Sequence, residues 1–356
     1  MNCELDLDAI NVEPLSISEL LEFTGNDPSD LAGLLNIKLT YGEALGSIEL
    51  RDAILGLFDR QSRDNVVVTH GTRGANAVVH QALVNPGDRV ISFVPAYHRQ
   101  HSIPASIGAD VQFLHLREEN NWLPDLSELA DLAIPGTKLI ALSNPNNPTG
   151  SLIERDMLEE IAAIARACNA WVLCDEAFRG SDQDGPGTTA SIADIYEKGI
   201  STGSLTVVYS LAGLRAGWIV APTLVIEDVI VHRDSEMISI GSVNDFLAVH
   251  ALRHHDRLLE RARSITRSNI PTLADCIAQE KCLSWVRPRG GTVCLVKVDV
   301  PMRSQEFGLA LLEETGVLLT PGSLLGVEGY VRIGFGINRG VLTEALKRMS
   351  GFLERF

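Results

Sequence analysis

Four stretches of this chain put polar side chains where chemistry could use them. His70-Gly71-Thr72-Arg73-Gly74-Ala75 joins a β-branched run to a helical pattern. Backbone N–H groups at a helix start, reinforced by the helix dipole, favour a phosphate, so Gly71, Thr72 and Arg73 are the expected cradle; a glycine turn alone is a weak signal. Ser143-Asn144-Pro145-Asn146-Asn147-Pro148-Thr149-Gly150 follows the apolar run from Lys138 to Leu142 and would form a turn on composition alone. Asp175 closes Val172-Leu173-Cys174, where a helix cap or a solvated strand end is the plain alternative. Arg332 stands inside Gly329-Tyr330-Val331-Arg332-Ile333-Gly334-Phe335. An unpaired guanidinium in an apolar strand is costly, so it needs an anion, from a ligand or from a structural salt bridge.

Placing these groups requires a scaffold. Short β-branched runs alternate with longer amphipathic segments, the pattern of a mostly parallel sheet covered by helices. The expected strands are Asn65 to Thr69, Arg89 to Phe93, Asp110 to Leu114, Lys138 to Leu142, Ala170 to Cys174 and Leu205 to Tyr209. Helical patterns run over Arg73 to Leu83, Pro104 to Gly108 and Glu154 to Cys168. Several strands end in Gly, Pro, Asn or Asp, where such a sheet builds its ligand site. A long helical stretch from Asp228 to Cys276, a strand from Thr292 to Val298 and a helix from Val341 to Phe356 follow. The expected organisation is an N-terminal arm (1–40), a large α/β domain (41–225), and an interdomain helix with a smaller α+β domain (226–356).

The bulk numbers narrow the partners. With 356 residues, 45% of them hydrophobic, the chain can bury one large core and a smaller one. Its formal net charge of -16 repels nucleic acid and anionic membranes. Six scattered cysteines without a C-x-x-C pair read as reduced thiols of a cytoplasmic protein. The acidic start Met1-Asn2-Cys3-Glu4-Leu5-Asp6 has neither the basic nor the apolar region of a targeting signal.

Taken together and in order, the motifs resemble the class I/II aminotransferase family, the fold-type I enzymes of pyridoxal 5'-phosphate (PLP), from about Tyr41 to the C-terminus. The resemblance implies that Asn147 in the Asn-Pro-x-Asn-Pro-Thr-Gly string donates to the cofactor's phenolic oxygen, and that Asp175 pairs with the pyridine nitrogen. Phe178 stands where the family usually has a tyrosine that makes a second bond to that oxygen. Tyr97, in Pro95-Ala96-Tyr97-His98, takes the place of the ring that stacks on the cofactor. Tyr41 takes that of a tyrosine reaching the phosphate of a neighbouring subunit, which implies a homodimer. Arg332 corresponds to the clamp on the substrate's α-carboxylate, which implies an amino-acid-like substrate.

The segment Gly203-Ser204-Leu205-Thr206-Val207-Val208-Tyr209-Ser210-Leu211-Ala212-Gly213-Leu214-Arg215-Ala216-Gly217-Trp218 departs from the pattern. Matched without a gap on Gly213 to Trp218, it puts Arg215 and Ser204 on the phosphate and Val207 where the family carries its Schiff-base lysine. None of the six lysines (Lys38, Lys138, Lys198, Lys281, Lys297, Lys347) is within a short slip of that register. Valine can neither bond covalently to PLP nor move a proton. The phosphate and ring contacts do not need the lysine, so the expectation is non-covalent binding of PLP, of pyridoxamine 5'-phosphate, or of a preformed PLP aldimine of an amino acid. By sequence proximity, Tyr209, His98 and Thr206 are the candidates for proton transfer in an aminotransferase-like enzyme of specialised amino-acid metabolism. A cofactor-free enzyme reusing the anion sites, and a non-catalytic binding protein, are the other readings. The sequence suggests no metal site.

Overall fold

The computed structural model describes residues 3–356 except Asn26, Asp27, Pro186 and Glu236, with the side chains of residues 28–30 also outside the description. Its centre is a seven-stranded sheet: β1 (Val66–His70), β2 (Arg89–Val94), β3 (Asp110–His115), β4 (Thr137–Ser143), β5 (Trp171–Asp175), β6 (Gly199–Ser204) and β7 (Ala216–Val220). The spatial order is β1-β7-β6-β5-β4-β2-β3. β7 runs antiparallel to both neighbours, and the other pairings are parallel. The inner strands are buried along most of their length, so they read as near-continuous apolar runs rather than alternating ones.

Five of the six expected strands are present within two residues of their expected ends. The sixth is displaced: the strand is Gly199–Ser204, and Leu205 to Tyr209 forms a turn beyond it. The apolar side chains of that run are buried in a cluster with Trp218 and Leu247, so tertiary packing, not a strand, accounts for their hydrophobicity. The small polar residues of Gly199–Ser204 hid the true strand, since β-propensity mostly reports packing on a pleated surface. The helix expected over Pro104 to Gly108 starts earlier, at Arg99, and ends at Ile107.

Helix α1 (Gly71–Leu83) follows β1 directly, and α2 (Arg155–Ala167) follows the Asn-Pro loop. The long helical stretch is three helices, of which the last, α3 (His255–Gln279), has 25 residues. A four-stranded antiparallel sheet of Leu283–Trp285, Val293–Val298, Thr320–Pro321 and Tyr330–Gly334 forms a second core with Phe307, Phe335 and Leu346. The N-terminal segment crosses back to this sheet, with Leu5–Asp6 pairing in parallel with Val317–Leu318. Among the described residues no helix is long and apolar enough to cross a membrane. All six cysteines are free, and Cys168, Cys174 and Cys294 are buried.

Candidate cofactor and substrate site

The C-terminal ends of β4, β5 and β6 open into a cavity of about 590 Å³ whose wall includes Ser143, Asp175 and Ser204. This is where a parallel sheet leaves strand-end groups free to meet a ligand.

One end of the cavity offers donors suited to an anion. Gly71 takes φ +70° to turn from β1 into α1, and a Cβ there would lie 2.7 Å from Arg215 Nη2; only glycine fits the turn. Thr72 Oγ1 donates to Ser204 Oγ at 2.7 Å, tying the helix start to the end of β6. Arg215 is itself held in the left-handed region at φ 51°, and its Nη1 donates to Ala212 O at 3.1 Å. Thr72, Arg73, Ser204 and Arg215 all line the cavity.

The other end, where the family resemblance implies the cofactor ring, is set by Asp175. Its Oδ1 accepts from Ala177 N at 3.0 Å and its Oδ2 from Asn76 Nδ2 at 2.7 Å. Asn76 is fixed in turn by Thr202, whose Oγ1 donates to Asn76 Oδ1 at 2.7 Å. Burial pushes the Asp175 carboxyl up to about 6, opposed by those two hydrogen bonds and by the neighbouring Gln100 amide. A buried carboxylate with neutral donors around it is short of a cation, and a protonated heteroaromatic nitrogen is a chemically suitable one. Tyr97 and Phe178 supply aromatic wall.

Within the Asn-Pro loop the labour is divided. Asn144 is structural: its Nδ2 donates to Ile153 O at 2.9 Å and its Oδ1 accepts from Ile153 N at 2.8 Å. Asn146 accepts from Thr149 Oγ1 at 2.8 Å. Asn147 alone of the three asparagines lines the cavity, and its Oδ1 accepts from Arg332 Nη1 at 3.2 Å. Arg332 is buried, which depresses its basicity, while Asp8 opposes that effect.

Val207 lies on the wall, 4% exposed, and no lysine is among the residues that line the cavity. Of the three groups proposed for proton transfer, only Thr206 reaches it. His98 is exposed at the start of its helix, edge-on to Tyr97 with ring centroids 4.8 Å apart. Tyr209 turns away into a neighbouring cavity of about 250 Å³ that it shares with Glu176 and Arg179; burial pushes its phenol well above the ordinary range. Glu176, Asp182 and Arg179 are likewise off the main cavity. Tyr41 is 74% exposed and bridges to Gly241.

Sequence reasoning missed Asn76, Thr202 and the stretch Asp8 to Asn11, which lines the mouth. Asn76 had a signal, a polar residue between Ala75 and Ala77-Val78-Val79 on a helix face turned inward. Asp8 had none, because 324 positions separate it from its partner Arg332. Among the described residues no group of His, Cys, Asp and Glu could hold a metal.

The donor set fits a phosphorylated pyridine: an anion cradle that only glycine can complete, a buried carboxylate for a ring nitrogen, an amide and a guanidinium beyond it. Comparison with known proteins agrees. Capreomycidine synthase from Streptomyces vinaceus is 29% identical over 310 residues, 87% of this chain and 79% of that one. A PLP-dependent aminotransferase from Streptococcus suis superposes with TM-score 0.96 at 38% identity, covering 99% of this chain and 94% of the other. The PLP-dependent cyclase OrfR follows at TM-score 0.91 and 27% identity, covering 99% and 93%. The fold is therefore the fold-type I architecture of PLP-dependent aminotransferases. Residues 28–349 match the profile of aminotransferase class I and II, and the chain belongs to that family.

Proposed function

We propose that this protein is an aminotransferase-like enzyme that holds PLP or pyridoxamine phosphate without a covalent bond and acts on an α-amino acid. One observation carries the reading: the anion cradle and the Asp175 carboxylate share a single cavity with a wall residue, Val207, that can form no Schiff base. A desolvated carboxylate such as Asp175, with only neutral donors around it, is expensive without a cation to answer it.

In this reading Thr72, Ser204, Arg215 and the backbone at the start of α1 hold the phosphate. Asp175, braced by Asn76 and Thr202, keeps the ring nitrogen protonated. The cofactor supplies an electrophilic carbonyl and an electron sink. Asn147 and Phe178 face the ring edge, and Arg332 receives the substrate's α-carboxylate, for which the planar guanidinium is suited. Thr206 is the one of the three proton-transfer candidates that faces the cavity, though an unactivated hydroxyl has no pKa near neutrality. Tyr41, exposed at the surface, reaches the phosphate of a second subunit in a homodimer.

The test is a spectroscopic titration of purified protein with PLP, followed by an amino acid, together with equilibrium dialysis. The expected result is saturable PLP binding below millimolar concentration and a new visible band only after the amino acid is added. No affinity for PLP and no spectral change would overturn the reading.

A further inference from the structure

Arg332 already holds a carboxylate belonging to the chain itself. Its Nη2 donates to Asp8 Oδ1 at 2.7 Å, to Asp8 O at 3.1 Å and to Thr320 Oγ1 at 2.9 Å, while Nη1 is taken by Asn147. Its Nε is buried without a hydrogen-bond partner. Asp8 thus sits on the edge of the guanidinium that a ligand carboxylate would need for two parallel bonds.

The backbone that carries Asp8 is anchored on both sides. Leu7 and Val12 are fully buried. Leu7 N donates to Leu318 O at 2.8 Å, Gly334 N to Leu7 O at 2.7 Å, and Val12 N to Val207 O at 3.2 Å. The strap also lies so close to the small sheet that a Cβ on Gly334 would stand 2.1 Å from Ala9 O. Its position is therefore built into the fold. The Asp8 side chain is another matter: it is 46% exposed, against 9% for Arg332, so it can rotate outward while the strap stays in place.

We infer that Asp8 is a specificity-determining residue, an internal counter-carboxylate that makes the site prefer ligands bringing a second positive charge and disfavour those bringing a second negative one. The inference rests on the reading of Arg332 as the carboxylate clamp. Asp8 and Arg332 together are electrically balanced. A ligand carboxylate that displaces Asp8 leaves Asp8 ionised at the same mouth, with Asp6 beside it, its Oδ1 accepting from Asp8 N at 2.8 Å. A ligand cation restores the balance; a second ligand carboxylate adds a like charge a few ångströms from Asp8. The other arginines on the wall are engaged elsewhere, Arg215 at the anion cradle and Arg73 with its guanidinium 5.8 Å from the centroid of the Tyr97 ring. At such separations in a half-solvated site one charge changes affinity by about tenfold.

The experiment uses three six-carbon carboxylates that carry no primary amine and so cannot condense with the cofactor's free carbonyl: 6-(trimethylammonio)hexanoate, hexanoate and adipate. Calorimetric titrations are run with PLP-loaded and with PLP-free protein. The native protein should bind 6-(trimethylammonio)hexanoate about tenfold more tightly than hexanoate, and adipate most weakly. Asp8→Asn should tighten hexanoate and adipate and compress the series to within about threefold, whereas Asp8→Glu should keep the native order. An unchanged order in Asp8→Asn, uniform tightening of all three, or a native preference for adipate would overturn the inference. Arg332→Gln should abolish binding of the series; unaltered affinities there would refute the clamp and the inference with it. If PLP does not bind but the PLP-free protein still shows the Asp8-dependent order, the proposed function falls and this inference stands.

Discussion

The two ends of the cavity differ in what has been kept. At the anion and ring end, Thr72 is tied to Ser204, and Asp175 to Asn76 and through it to Thr202, by short hydrogen bonds, each of these groups braced by another. At the reacting end, an apolar Val207 faces the cavity, a phenyl ring stands at Phe178, and the guanidinium of Arg332 is occupied by Asp8. Holding a ligand and transforming it are thus separable tasks on this scaffold. The first depends on strand ends and a helix start that the fold itself positions; the second depends on side chains that can change without moving the backbone.

Restoring a lysine breaks the contrast most directly. Val207→Lys should change the protein qualitatively, giving a covalent PLP adduct with a visible absorbance band and, after borohydride reduction, a mass increase. A colourless, unmodified variant that still binds PLP would mean that the wall at 207 does not face the cofactor. Asp175→Asn tests the ring end. Because burial raises this carboxyl from 3.8 to about 6, the folded protein binds the proton more tightly than the unfolded chain does. Its contribution to stability is therefore lost as pH rises from about 4 to about 6. The loss amounts to at most about 3 kcal/mol at neutral pH, less what cavity water screens. In melting curves of the PLP-free protein, the variant should gain on the native chain by a few degrees between pH 4.5 and 7.5; a constant difference would contradict a raised carboxyl. Asp182, held up to about 6 by burial as well, contributes equally to both proteins.

Arg215→Ala removes one charge-assisted contact from the anion end and should weaken PLP binding about tenfold to a hundredfold by equilibrium dialysis; a change under threefold would place the phosphate elsewhere. The smallest effect belongs to Tyr209→Phe. Its phenol lines the neighbouring cavity, so PLP affinity should stay within about twofold, and a tenfold loss would connect the two cavities functionally.

The sequence made the rigid part of the site legible because local rules govern it. Gly71 marks a turn that needs positive φ, the Asn-Pro string marks a strand end, and Asp175 marks the close of an apolar run; none of these depends on distant residues. What escaped was long-range or masked by packing. The apolar run Leu205 to Tyr209 looked like a strand because burial in a turn calls for the same residues. That misreading also aimed Tyr209 at the site, when only Thr206 and Val207 of the run face it. The capping of Arg332 by Asp8 joins opposite ends of the chain, and no periodicity announces such a pair. Asn76 lay between these cases, visible as a polar residue on an inward helix face yet without a partner until β6 was placed.

The loop after β6 is closed by main-chain bonds, Leu205 N to Ala216 O at 3.0 Å, Leu211 N to Leu205 O at 3.0 Å and Ser210 N to Val207 O at 3.3 Å, with Ser204 Oγ accepting from Thr206 N at 3.3 Å. No side chain at position 207 takes part in them. For the history of such a gene, the bonds that close this loop do not change when the residue at 207 does, while the packing around it favours an apolar side chain. Selection at this position then weighs packing against the reaction, which lets the scaffold lose one chemistry and acquire another while its descendants keep the same shape.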